Sequence, residues 1–470
     1  MSSKSILRHF RLNKVQTTKR QPTQRNPLFS FYLRHFPRFS IFLALFSYTT
    51  HLEAQPAKKI TLAEALTIAA KNNKTIQRSL VDIDLAEEDL KEQKELRLPE
   101  IDVHGSYARI TDLTEFRHGL GDKAVTQTIP VIADLTTSAR MPLYTGGKIK
   151  YNIIKAGQEK DIAALKLEKA HNDIRIEVTG IFLQIYKMME LQKLIIENIK
   201  EEEDRLHEVK TFKAHGTVTK NEVLRAELQL SDMQLALMTN KRNIAIGIHN
   251  MMTILQLPED EPLEIDTSGI LSEPLSVGSQ DMYLNAALHK DEMRIADRQQ
   301  HIRETELRIT KSNYFPVISF FASYGFNYPN YMFFPPNPYL YTLGRVGIEA
   351  TFSISNLYKN KTKIHIAHKK AEAQHLQTDI VKDAVKDRVF KQYMEYQDVS
   401  DKIPVTEKAV NQAAENYRIV KVKYLNQLAL ITDMIDADNE LLQAKFNMVS
   451  ARIDAVMKYH ELQHASGLLR

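Results

Sequence analysis

The 470-residue sequence contains no cysteine. This excludes disulfides, thiolate metal sites, a cysteine nucleophile and a lipid-modified N-terminal Cys. After residue 55 no apolar stretch reaches the roughly 20 residues that a transmembrane helix needs. No phosphate-cradling glycine loop, HExxH motif or nucleophile elbow appears, so no catalytic residue, cofactor or metal site is assigned. Gly146-Gly147 is an isolated pair between a strand and a helix and reads as a turn. His365 and His368 stand i,i+3 on a helix without an obvious acidic partner and read as surface. Met188-Met189 and Met251-Met252 read as packing rather than as soft-metal ligands.

What is present is ordinary for a folded chain: 43% hydrophobic and 26% charged residues,. At about 150 residues per domain the length allows two to four domains. The formal net charge of +5 is unevenly placed. Residues 1–54 hold nine Lys/Arg and one acid, Glu53, leaving the remainder at about −3. That sign change removes a nucleic-acid partner from consideration.

The run FSIFLALFSY (39–48) follows Arg34 and Arg38 and precedes Ala54. A basic region, about ten apolar residues and a small-residue exit describe a secretory signal peptide over 1–54. Its basic part is unusually long, so either the leader is over-long or the true start lies within it. A buried N-terminal helix is the alternative. An exported chain belongs in the periplasm, the outer membrane or outside the cell.

The remaining chain looks duplicated. Leu98-Pro99-Glu100-Ile101-Asp102 is echoed by Phe315-Pro316-Val317-Ile318-Ser319, 217 residues later. Pro142–Lys148 corresponds loosely to Asn356–Lys361. Glu222-Val223-Leu224-Arg225-Ala226 matches Asp433-Met434-Ile435-Asp436-Ala437 at an offset of 211. A first repeat over 55–256, a linker over 257–280 and a second repeat over 281–470 follow. Each half begins with a helical stretch (61–97; 281–314), turns extended, and returns to long helices.

Residues 148–212 lack proline and carry a heptad. Ile174, Ile181, Met188, Ile195, Glu202 and Val209 form one line; Val178, Ile185, Gln192, Ile199 and Leu206 form the other. Nine of these eleven positions are apolar, which is a coiled-coil seam,. A helix of that length extends roughly 100 Å, more than any ordinary globular core requires. The matching helix over 360–424 is expected to kink or divide at Pro404. His215-Gly216 should stop the first long helix, with Thr219 capping the return over 220–256. Asn426-Gln427 takes the same place before 432–466, with Asn as the left-handed residue.

Between the helices the period changes to two. Strands are expected over about 99–111, 132–145, 316–328 and 342–355. Ile318, Phe320, Ala322, Tyr324, Phe326 and Tyr328 share one face, while Ser319, Phe321, Ser323, Gly325 and Asn327 share the other. Ten-residue strands with one apolar and one polar face have the dimensions of transmembrane β-strands. From alternation alone a soluble sandwich is the better reading. The balance shifts because 12 of 38 Phe/Tyr residues fall within Tyr314–Tyr341. Tyr324, Phe326, Tyr328, Tyr331, Phe333 and Phe334 suit an aromatic belt at a bilayer interface. Two separated hairpins cannot close a barrel, so copies of the chain must combine in lipid.

Ile60-Thr61-Leu62-Ala63-Glu64-Ala65-Leu66, with Ala69 and Asn72-Asn73, resembles the start of mature TolC-like outer-membrane efflux proteins, the outer membrane factors. Leu98-Pro99, Pro142-Leu143-Tyr144-Thr145-Gly146-Gly147 and the Glu222 and Asp433 motifs are similar to that family's landmarks. The resemblance covers about 60–467. It implies a mostly α fold with a membrane β-barrel: a homotrimeric channel-tunnel of twelve strands continued by a helical barrel across the periplasm. It further implies a periplasmic adaptor (membrane fusion protein), an inner-membrane pump and passive export of small molecules or proteins. Asp433 and Asp436 fall where the family carries acids at its tunnel entrance, and the helical-hairpin turns Gly216, Asn426 and Gln427 where an adaptor would dock. Tyr424 matches a gate tyrosine and Glu222 its acidic neighbour. Ala429 stands where a gating arginine is usual and Gln427 replaces a turn glycine, so any latch must use other bonds; Lys421 and Lys423 are candidates. From spacing alone, Asp433 and Asp436 read better as a solvated acidic helix start, and only the resemblance turns the balance toward a carboxylate ring. The competing reading of the whole chain is a secreted or periplasmic coiled-coil structural protein without channel activity.

Overall fold

The sequence Thr61-x-x-Glu64 is a helix-start signal, and it folds as one. Strand β1 (Lys58–Ile60) leads into helix α1 (Leu62–Asn72). The Thr61 hydroxyl accepts from the Glu64 N–H at 3.3 Å, and the Glu64 carboxylate accepts from the Thr61 N–H at 2.9 Å,. Asn73 ends α1 and caps α2 (Lys74–Glu95), accepting from the Thr75 N–H at 2.8 Å. The single helical stretch expected here is therefore two helices. The computed structural model describes residues 58–258, 263–271, 277–333 and 335–469. The expected leader, Pro262 and Pro274 of the linker, and Phe334 lie outside the described residues.

The first repeat continues with β2 (Glu100–Arg109), a hairpin of β3 (Leu113–His118) and β4 (Gly121–Thr126), and β5 (Val131–Tyr144). Long helices α3 (Lys148–Ala214) and α4 (Lys220–Leu255) follow. The chain then runs through β6 (Leu263–Ile265), α5 (Gln280–Ala287), α6 (Asp291–Ser312), β7 (Val317–Tyr328), β8 (Tyr341–Thr351), α7 (Asn356–Leu425) and α8 (Ile431–Ser466). The starts of β2 and β7, and of α4 and α8, are separated by the same offsets as the sequence motifs. Three details differ from the sequence reading. The β3–β4 hairpin is additional. β6 lies inside the segment read as a linker and pairs in parallel with β1. The last strand stops at Thr351 rather than 355, where the chain turns into α7.

Pro404 lies inside α7, which continues unbroken for 70 residues. Division was expected because proline removes a hydrogen bond and crowds the preceding turn. Pro404 is on the exposed face, where the freed carbonyl can meet water, and α8 packs against α7 near it, Arg452 pairing with Glu407. All eleven heptad positions of α3 are buried or half-buried. Ile174, Val178, Ile181, Ile185 and Met188 pack with α1, α4 and β6 around Phe182, Met251 and Leu255, and Leu206 and Val209 join a separate core near the end of α3. The second repeat builds its own core from Tyr283, Val389 and Leu462.

The two hairpins are one antiparallel sheet of order β2-β5-β7-β8. Rows across it keep the faces apart. Ile101, Ala139, Ala322 and Val346 lie in one row, and Asp102, Ser138, Ser323 and Arg345 in the next. The apolar face is open to solvent, Ile101 at 65% and Val346 at 71% exposure. β2 and β8 have no outer partner among the described residues. Each strand of the sheet adjoins a helix in the chain, and these helices pack in the matching order α2-α3-α6-α7. Farther along, the four long helices pack as α4-α3-α8-α7. The sheet's lateral order thus extends through the helical part.

Candidate functional site

The two long hairpins end in turns of the same kind. After α3, the Thr217 N–H donates to the Phe212 carbonyl at 3.0 Å; after α7, the Leu428 N–H donates to Lys423 at 2.8 Å. Such closure requires a left-handed residue between. Gly216 supplies it in the first turn (φ +74°) and Gln427 in the second (φ +62°). Asn426, the expected left-handed residue, has φ −93° and donates its side-chain amide to the Val422 carbonyl instead. Thr219 precedes α4 but makes no side-chain capping bond.

Behind the turns, Val209, Val223, Ala226, Tyr424, Ile431 and Met434 form a core joining all four long helices. Ala429 packs on it as a small apolar residue. Tyr424 is buried, and its hydroxyl has no hydrogen-bond partner among the described residues. Burial, then the charges of Glu222 and Glu208, push its pKa up to about 12. The structure therefore brings Tyr424 and Glu222 into electrostatic contact without a bond between them. Asp433 accepts from the Leu430 N–H at 3.0 Å, an N-terminal cap. Asp433 and Asp436 are both exposed, one turn apart on a common face of α8 with Glu440. Neither makes an ion pair among the described residues. Lys421 lies 5.7 Å over the Tyr417 ring, and neither it nor Lys423 pairs with a carboxylate among the described residues.

A second cluster, absent from the sequence reading, lies deeper between the hairpins. Arg205 of α3 donates to Glu202 at 2.5 Å, to Asp438 of α8 at 2.7 Å and to the Tyr417 hydroxyl of α7 at 3.1 Å. Asn198 donates to the same Asp438 oxygen at 3.2 Å. The Arg205 and Glu202 side chains are 1% and 0% exposed. One sequence signal existed: Glu202 is an acid on the heptad seam, where an unpaired charge would be untenable.

At the sheet, Tyr324 and Phe326 stand edge to face, centroids 5.7 Å apart, and are exposed. Tyr331 and Phe333 are exposed in the connection between β7 and β8, and Tyr328 is half-buried. His365 and His368 are exposed, and no group of three metal-ligating side chains occurs among the described residues. No described helix is long and apolar enough to cross a membrane.

Residues 65–255 match the family model for outer membrane efflux protein. No curated protein matches the chain. Solved structures share its fold, among them the following three. The outer membrane protein VceC of Vibrio cholerae is 16% identical, with 86% of this chain and 96% of that chain covered and a TM-score of 0.70. The MtrE outer membrane channel of Neisseria gonorrhoeae, in its open state, is 16% identical, with coverage of 87% and 89% and a TM-score of 0.68. CusC is 12% identical, with coverage of 87% and 92% and a TM-score of 0.74. The resemblance to the TolC-like outer-membrane efflux family is borne out, and the chain has the fold of outer-membrane channels.

Proposed function

We propose that this chain is the outer-membrane channel-tunnel of a tripartite export system, a passive conduit whose cargo is driven by an inner-membrane pump. The β2-β5-β7-β8 sheet carries this reading. It has an exposed apolar face, a face bearing Asp102, Arg140, Arg345 and Glu349, and two open edges. In water the apolar face is a hazard, and in lipid the open edges are untenable. Both problems disappear when β8 of one copy pairs with β2 of the next until the wall closes.

The helices support the same assembly. Leu224, Leu228, Leu235, Met238 and Ile246 form an exposed stripe on α4; Leu376, Ile380, Phe390, Met394, Val405 and Ile419 form one on α7,. These are the two flanks of the four-helix layer, so α7 of one copy meets α4 of the next in a heterologous ring. A homotrimer gives twelve strands and twelve long helices. The barrel then lies in the outer membrane, with the exposed aromatics of the sheet at its interface, and the helices lie in the periplasm. The turns at Gly216, Asn426 and Gln427 present the surface for a periplasmic adaptor. Asp433 and Asp436 line the mouth as rings of carboxylates that favour cations and bind polyvalent ones.

Reconstitution into planar bilayers tests this. The protein should conduct, and Asp433→Ala with Asp436→Ala should weaken divalent-cation block and cation preference several-fold. Unchanged block and selectivity would remove the mouth assignment. Absence of conductance, with a protein soluble without detergent, would favour the coiled-coil scaffold.

A further inference from the structure

The Glu202–Arg205–Asp438 cluster is the most deeply buried charged group joining the two repeats, and the conduit needs no such group. Two carboxylates face one guanidinium. Glu202 Oε2, Arg205 Nε and Asn198 Oδ1 have no hydrogen-bond partner among the described residues. A carboxylate oxygen left without a donor in a dry site favours a bound proton. We propose that this cluster is a proton-dependent bolt: with Glu202 protonated it holds α3 to α7 and α8 beside the mouth, and loss of that proton loosens the junction.

The position suits a bolt. Asp438 is two residues beyond Asp436 on α8 but is buried, while Asp436 is exposed. Any loosening of Asp438 from Arg205 therefore shifts the acidic face of α8. The strongest charges on Glu202 are Arg205 on its own helix and Asp438 on α8. From α7, Tyr417 acts through Arg205, and the charge of Glu201 on α3 acts on Tyr417. On the α4 side the nearby ion pair is Lys210–Glu227, two turns toward the tip.

The direction of the response follows from the titration. Burial, opposed by Arg205 and reinforced by Asp438, raises the Glu202 pKa from the usual 4.5 to about 7. A carboxyl raised in the closed junction stabilises it fully below the ordinary value, and that contribution is lost as pH rises through the raised one. The bolt is tightest near pH 4.5 and loosens up to about pH 7, beyond which it changes no further. Within that window the closed-to-open ratio changes by up to about tenfold per pH unit.

The consequence for conduction rests on the conduit reading; the junction itself does not. Hydrogen exchange of the detergent-solubilised full chain, over 198–209 and 431–442, compares wild type with Glu202→Gln, which mimics the protonated form. Wild type should exchange several-fold faster than the variant at pH 7.5, with the difference shrinking at pH 5 and closing below about pH 4.5. In bilayers, wild-type open probability should fall several-fold from pH 7.5 to 5 and stay low at both in Glu202→Gln. Asp438→Asn leaves one carboxylate for one guanidinium and should abolish the response. Asp433→Ala with Asp436→Ala should keep it. Identical exchange in wild type and Glu202→Gln at both pH values would overturn the bolt. A protein that never conducts counts against the conduit alone, because the exchange comparison still decides the junction.

Discussion

Gly146 lies against the backbone of Ser312, where the turn from β5 into α3 meets the turn from α6 into β7. A Cβ at 146 would stand 2.6 Å from the Ser312 carbonyl oxygen and 2.7 Å from the Phe315 Cβ, and Gly146 has φ +64°. Only glycine combines that conformation with that approach. Replacement by Ala should destabilise the chain by about 2–5 kcal/mol, from left-handed strain and overpacking together. Gly157→Ala, in α3 with nothing within 4 Å of the added methyl, should instead be neutral or stabilising,. Thermal unfolding midpoints in detergent separate the two.

The paired turns make a comparison within one molecule. Gln427 holds the left-handed conformation that Gly216 holds in the first repeat, without glycine's freedom. Gln427→Gly should stabilise the second turn by about 1 kcal/mol. The expected sign is slower amide exchange over 424–431; faster exchange there would mean that the Gln427 side chain contributes more than its backbone costs.

Asn73 joins α2 to the end of α4, donating to the buried Ile254 carbonyl at 3.1 Å while capping α2. Asn73→Ala loses both bonds and should cost about 2–3 kcal/mol, read as a lower unfolding midpoint. Asn73→Asp keeps the cap but not the amide donor, and should fall between.

Features with a short repeat were legible in the sequence. Alternation over 317–328 and 345–354 marked both faces of the sheet, although β8 ends at Thr351, because a strand's side chains have only two directions,. The heptad of α3 fixed its buried seam. Features that depend on distant partners were not legible. Nothing local shows that β1 pairs with β6, or that Asn73 reaches Ile254 across 181 residues. Pro404 was misjudged because its local cost is real, while the exposure and the α8 packing that offset it are tertiary. The buried cluster was hidden because Arg205 and Asp438 each look like ordinary solvated helix residues until α3 and α8 meet. Gln427 took the left-handed position over Asn426 because the spacing of the turn, not residue preference, chose it.

The central claim is that β8 of one copy closes on β2 of the next. The chain has no cysteine, so introduced pairs report without background. Ile101 and Val346 lie in one row on opposite edges of the sheet. Three strand spacings, roughly 14 Å, separate them within a copy, too far for a disulfide. Pairs combining Ile101→Cys or Val103→Cys with Val346→Cys or Ile348→Cys, oxidised in outer membranes, cover the neighbouring registers. The expected result is a ladder of covalent dimer and trimer from at least one pair, lost on reduction. Only monomer from every pair, in a chain that stays in the soluble fraction, would contradict the closed wall.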